Sequence, residues 1–247
     1  MRYIFFILPA IAGGFVQSVT GFGCGIIIMM FYPILLGVIP SATINQCASI
    51  FLCLSIIIPY WKYANRKAIV LPLVFYFPIY LLLLQVATSI NVDFLKPFLG
   101  LFLILISIYF IFANNKITIT ATPVTTFICA GLCASIDAFF GLGGPPIVIY
   151  FLNTTKDKKE YFGTLQTFFL TTAIYGTLMR TWKGVLTLEL IPNIIIAVLS
   201  ILIGAAVGKR LASRLNGEVL KKVIYAFIGF AGIITIFESR EILLSLF

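Results

Sequence analysis

Gln17-Ser18-Val19-Thr20-Gly21-Phe22-Gly23-Cys24-Gly25 interrupts an apolar run near the start of the chain. The interruption recurs at Ser135-Ile136-Asp137-Ala138-Phe139-Phe140-Gly141-Leu142-Gly143-Gly144-Pro145-Pro146. Gly21 and Gly141 stand 120 positions apart, as do Gly23 and Gly143. Each stretch sets small polar residues and then flexible backbone inside lipid-soluble sequence. Glycine costs a helix interior about 1 kcal/mol relative to alanine, and proline about 3 kcal/mol. Backbone freed in this way at bilayer depth is tolerated only where it is buried in protein or lines a watery cavity. Paired interruptions in corresponding halves point to the binding site of a transporter.

Composition sets the same frame. Of 247 residues, 61% are hydrophobic and 10% charged, with a mean hydropathy of +1.13. A soluble domain carries about 25% charged residues and about 45–50% apolar ones. One core of this size cannot hide the excess, so the sequence reads as an all-α polytopic membrane protein. Net charge is +9, but most basic residues sit in short links between apolar segments, which argues for topology and against nucleic acid. The chain has no histidine, the commonest metal ligand and proton shuttle. Its five cysteines, Cys24, Cys47, Cys53, Cys129 and Cys133, form no Cys-x-x-Cys pair and read as buried thiols. No metal, no cofactor and no nucleotide loop of the Walker type is expected. The run after Arg2 resembles a signal peptide, yet it flows into the first break without a cleavage site and reads as an uncleaved membrane segment.

Ten apolar segments can be marked, at about 3–20, 22–39, 44–61, 68–90, 94–113, 122–140, 142–152, 161–179, 186–208 and 219–237. Leu142 to Leu152 is too short for the ~20 residues of a span and reads as a half-helix. The 120-residue register extends to Gln46 with Gln166 and Pro72 with Pro192, while Trp61 and Trp182 fall one position off it. Two homologous repeats follow, residues 1–121 and 122–247. If each half crosses an odd number of times, one side holds Lys62, Arg66, Lys67, Lys116, Lys156, Lys158, Lys159, Lys209, Arg210, Arg214, Lys221 and Lys222. The other side keeps Arg2, Lys96, Arg180, Lys183 and Arg240. Four crossings per half would nearly equalise the sides and demand an overlong span over 3–39. The expectation is therefore two inverted-topology repeats, each a broken or re-entrant helix pair followed by three transmembrane helices. Both termini then lie on the non-cytoplasmic side.

The signatures Gly21-Phe22-Gly23-Cys24-Gly25 and Gly141-Leu142-Gly143-Gly144-Pro145-Pro146 resemble those of the TauE/SafE sulfite exporter family, also called the 4-toluene sulfonate uptake permease family. Length, repeat and placement of both signatures agree over essentially the whole chain. The resemblance implies a multi-pass carrier of the bacterial inner membrane for sulfur-containing anions such as sulfite, sulfoacetate or other organosulfonates. One departure is visible: the family's second signature usually continues to a proline, and the place matching Pro33 holds Asn153.

The candidate substrate-binding residues are Gln17, Ser18, Thr20, Gly21, Phe22, Gly23, Cys24, Gly25 and Gln46 in the first half. In the second half they are Ser135, Gly141, Leu142, Gly143, Gly144, Pro145 and Gln166. Broken helices can turn N-terminal amides toward an anion, and glycine lets backbone approach it closely; close helix packing through small residues is the plainer use of the same glycines. Gly-Phe-Gly-Cys-Gly is not a dinucleotide loop, because a preceding strand and a βαβ context are missing. Asp137 is the one carboxylate deep within an apolar segment, and it matches Gln17. An acid at that depth is a functional candidate. Ionised, it would repel a bound anion, so a proton carried by Asp137 is one reading and a cap on the broken helix is the other. Gln46 and Gln166 can serve substrate oxygens or bridge to the Gly-rich turns, and Asn45, Thr164 and Thr167 are secondary candidates. Arg180 and Lys183 flank Trp182 as an interfacial anchor, or else draw anions to an outer mouth.

The function expected is a secondary transporter, an exporter linked to protons, working by alternating access at a midplane site. Its partners are the anion and the lipid bilayer. A passive anion channel shares the site without the coupling proton. An intramembrane enzyme lacks the groups that acid–base or metal chemistry needs.

Overall fold

The computed structural model describes residues 4–90, 92–112, 120–211, 229–230, 232–233 and 235–237. The tenth apolar segment falls largely outside the described residues, as do Arg2, Lys116, Arg214, Lys221, Lys222 and Arg240. The described chain folds into nine α-helices and two short 3-10 turns, Trp61–Tyr63 and Leu188–Leu190, and contains no strand. The helices are α1 (Ile4–Thr20), α2 (Cys24–Leu36), α3 (Val38–Ile57), α4 (Arg66–Ser89) and α5 (Val92–Phe112), then α6 (Pro123–Phe140), α7 (Pro145–Thr154), α8 (Lys158–Trp182) and α9 (Ile191–Leu211).

Local chemistry sets the boundaries. A capping box starts α6: Thr122 and Thr125 exchange side-chain and backbone bonds, and Pro123 occupies the first helical position. The Asp157 carboxylate starts α8 by accepting from the amides of Lys159 and Glu160, both at 2.8 Å. Gly141 ends α6 with φ 63°, and Gly23 precedes α2 with φ 107°. Both angles lie in the left-handed region, which glycine enters without the Cβ penalty. The two signatures therefore place their glycines where the chain reverses.

It does reverse. The Tyr32 hydroxyl donates to the Phe6 carbonyl at 2.9 Å, so α2 folds back along α1. Thr126 bonds Tyr150 at 3.0 Å, so α7 folds back along α6 in the same way. At about 1.5 Å per residue, α2 is about 20 Å long and α7 about 15 Å, both short of a hydrocarbon core of about 30 Å. The broken helix pairs are hairpins, with tips at 21–23 and 141–144.

The remaining helices hold the hairpins. α3 and α8 run antiparallel through the centre: Thr43 meets Arg180, Gln46 meets Thr172, and Asn65 meets Thr164. α1 packs on α9, and α6 packs on α4. The first of these contacts is built from small residues. A Cβ at Gly14 would run into the backbone of Ile201, and one at Gly204 into the backbone of Ile11. Close packing by glycine thus occurs here and also within the signatures, where a Cβ at Gly141 would lie 2.7 Å from the Ala42 carbonyl oxygen.

Four helical stretches are long and apolar enough to cross a membrane by length and composition: Val38–Ile57, Arg66–Ser89, Pro123–Phe140 and Leu188–Leu211. Their outer faces present Leu54, Leu82, Phe127, Leu132, Leu199 and Ile203 unburied. The basic links gather at one end. Lys159 lies over the Tyr63 ring, Asn65 bonds Glu160, and Lys209 reaches the Ser55 carbonyl. That end carries Lys62, Arg66, Lys67, Lys156, Lys158, Lys159, Lys209 and Arg210.

Candidate functional site

The two hairpins do not pack along their lengths, and they meet at their tips. Each tip is held by an amide from the opposite half. Asn45 of α3 donates to the Gly141 carbonyl, and Gln166 of α8 donates to the Gly21 carbonyl, both at 2.6 Å. The oxygen of each amide, Asn45 Oδ1 and Gln166 Oε1, is buried without a hydrogen-bond partner. Gly25 touches the opposite tip so closely that a Cβ there would lie 3.1 Å from Leu142 and 2.6 Å from the Asn45 amide.

Between the tips is a cavity of about 50 Å³, several times the roughly 10–15 Å³ that one water needs. Of the residues named from sequence, Gln17, Phe22, Gly23, Gly25, Asn45, Gln46, Asp137, Gly141, Leu142, Gly143, Gly144 and Pro145 line it. The walls follow the 120-residue register: Gln17 with Asp137, Phe22 with Leu142, Gly23 with Gly143 and Gly25 with Pro145.

Ser18, Thr20, Gly21, Cys24, Ser135 and Gln166 stand behind the wall. The Ser18 and Ser135 hydroxyls donate to carbonyls of their own helices, Phe15 and Gly131. Thr20 Oγ1 shapes the first tip by bonding the carbonyls of Val16 and Phe22. The Cys24 side chain is buried against Gly13. Thr164 and Thr167 also turn to backbone work, on the Asn65 amide and the Gly163 carbonyl. Asn153, at the end of α7, donates to the Ile149 carbonyl one turn back.

The tips differ in what they offer a ligand. The first amides of a helix have no intrahelical acceptor. At the start of α2 these belong to Cys24, Gly25 and Ile26, and no acceptor meets them among the described residues. α7 begins with Pro145 and Pro146, which carry no N–H. The donors therefore concentrate on the first tip. The second supplies the Asp137 carboxylate, which holds the turn after its own helix by accepting from the Gly143 amide at 3.1 Å. Asp137 also accepts from the Tyr76 hydroxyl and, at 3.4 Å, from the Gln46 amide, and it is 2% exposed. Among the described residues no cluster of three or more metal-ligating side chains occurs.

The placement of Arg180 corrects the sequence reading. Trp182 is 67% exposed, as an anchor should be, but Arg180 is fully buried. Its Nε donates to the Tyr80 hydroxyl at 3.2 Å and its Nη1 to Thr43 Oγ1 at 3.3 Å. Its Nη2 donates to the carbonyls of Asp137 and Ala138 at 3.2 and 2.9 Å. Ser49, Cys53, Phe169, Thr172 and Ala173 also line the cavity. Register could have paired Ser49 with Phe169 and Cys53 with Ala173; nothing in the sequence pattern marked Tyr76.

The Sulfite exporter TauE/SafE family matches residues 5–235. The chain belongs to that family. No curated protein and no solved structure matches it. With the apolar helices, membership identifies this TauE/SafE protein as a multi-pass membrane protein of a transporter family.

Proposed function

We propose that this TauE/SafE protein exports a small sulfur-containing anion, sulfite or an organosulfonate, by alternating access around the cavity between the hairpin tips. The single observation that carries the reading is the meeting of the tips over a cavity lined by Gly25 and Ile26 of the first turn of α2, whose amides have no acceptor among the described residues. An oxyanion needs several convergent donors, and a helix N-terminus supplies them with the favourable end of its dipole.

Two inverted repeats, 1–121 and 122–247, would do the rocking. Their support is the antiparallel run of the equivalent helices α3 and α8, and the matched packing of α1 on α9 and α6 on α4. Hairpins that touch only at their tips fit entry from opposite faces. The basic end then faces the cytoplasm of a bacterial inner membrane, with both termini outside. Asp137 is the proposed proton carrier, since it lines the cavity and the Tyr76 hydroxyl is its direct exchange partner.

Flux into proteoliposomes tests this reading. A carrier saturates with sulfite or methanesulfonate and shows counterflow. Flux without counterflow would make the protein a channel, and a chemically altered substrate would make it an enzyme.

A further inference from the structure

Arg180 sits behind the cavity, not in its wall, and its setting is unusual for a cation. Its bonding partners, Tyr80, Thr43 and two carbonyls, are all neutral, and among the described residues no carboxylate lies within ion-pair distance. A charge so deep in a membrane helix is costly, and it is kept where it does work. The carbonyls it binds belong to the C-terminal turn of α6, the negative end of that helix. That turn ends at Gly141 and carries the Asp137 carboxylate on its cavity side. A second connection runs through α4: Tyr80 bonds Arg180, the Tyr80 and Tyr76 rings stack at 5.5 Å, and Tyr76 bonds Asp137. The titratable and charged groups facing this cluster are Asp137 and Cys133 on α6, Tyr76 and Tyr80 on α4, Cys47 on α3 and Tyr175 on α8.

From this geometry we infer that Arg180 is a positioning residue that sets the electrostatic balance of the site. It is a fixed positive charge that offsets ionised Asp137 when the cavity is empty and leaves a net positive field for the anion when Asp137 carries a proton. The arrangement deepens the anion-transport reading and rests on it. It makes anion and proton load together: with Asp137 ionised the buried charges sum to zero, and with Asp137 neutral the sum favours an anion. The positive charge acts through low-dielectric protein, so it needs no direct contact with the ligand.

The test is sulfite flux in proteoliposomes for Arg180→Lys, Arg180→Gln and the double variant Asp137→Asn/Arg180→Gln, with KM and Vmax read separately. Arg180→Gln is expected to raise KM about tenfold with Vmax little changed, while Arg180→Lys keeps KM within about threefold. If Arg180→Gln fails to assemble because it strands the Asp137 charge, the neutral double variant is expected to assemble and to show the same raised KM. Wild-type KM in Arg180→Gln or in the double variant, or Arg180→Lys as impaired as Arg180→Gln, overturns the inference. A wild-type protein that moves neither sulfite nor methanesulfonate would instead overturn the transport reading itself.

Discussion

The side-chain amide of Asn45 donates to the carbonyl of Gly141, 96 positions along the chain, and so ties α3 to the tip of the second hairpin. Gln166 repeats the device on Gly21, across 145 positions. The two bonds close the site with one amide from each half. They also join the first half of the chain to the second, since each bond runs from one half to the tip in the other.

Asn45→Ala should cost only about 1 kcal/mol, the low end of the ~1–3 kcal/mol expected for a broken buried hydrogen bond. The reason is that Asn45 Oδ1 is already unpartnered, and truncation removes that orphan together with the bond. Asn45→Asp should be worse, because it sets a carboxylate against the Gly141 carbonyl. Thermal unfolding in detergent checks the order: Asn45→Asp melting at or above Asn45→Ala would contradict it.

Asp137→Asn fixes the side chain in its uncharged form. If Asp137 carries the coupling proton, this variant retains saturable sulfite exchange but loses both proton movement and the pH dependence of flux. A pH-sensitive dye trapped in the liposomes reads the protons. Proton movement unchanged from wild type would remove Asp137 from the coupling step and leave it as the acceptor that holds the Gly143 turn.

Gly204→Ala should destabilise strongly, because its Cβ would meet the Ile11 backbone, which cannot move aside as a side-chain end can. Overpacking of this kind costs about 1–3 kcal/mol or more. Gly184→Ala is the matched comparison: its φ of 71° is strained for alanine, but nothing lies within 4 Å of the new methyl group. Detergent melting temperatures should therefore fall further for Gly204→Ala than for Gly184→Ala; equal losses would mean that α1 and α9 are not in close contact.

Single cysteines replacing Lys62 and Lys156, in a background without the native thiols, should both label from the cytoplasmic side. A cysteine at Lys183 should label only from the opposite side. The α3–α4 and α7–α8 links share one end of the molecule through Asn65 and Glu160. Labelling of Lys62 and Lys183 positions from the same side would break the inverted arrangement.

Much of this fold was legible because lipid imposes a simple pattern. Apolar length marked the helices, glycine and proline marked the breaks, and the 120-residue register marked Gln17 opposite Asp137 and Gly23 opposite Gly143. The register misled at the latches: Gln166 matches Gln46 in sequence, but the residue that does the equivalent bonding is Asn45, one position earlier. Side-chain reach and helix rotation decide that, and neither is written in spacing. Arg180 was misread for a related reason. Beside Trp182 and Lys183 it looks like an interfacial anchor, yet Trp182 is two positions on and faces another way, and Lys183 lies past the end of α8. Tyr76 and Tyr80 are ordinary aromatic residues of an apolar helix until α6 brings Asp137 against them.

Equilibrium binding of 35S-labelled sulfite to the purified protein, with methanesulfonate as competitor, bears most directly on the anion site. Wild type should bind saturably, about one anion per chain. Gly25→Ala should still fold, with a melting temperature lowered about as much as in Asn45→Ala, and should bind at least about tenfold more weakly, because the added methyl group would lie 2.6 Å from the Asn45 amide and must displace it at the gap between the tips. No saturable binding by wild type, or unchanged affinity in a folded Gly25→Ala, would contradict an anion held between the two hairpins.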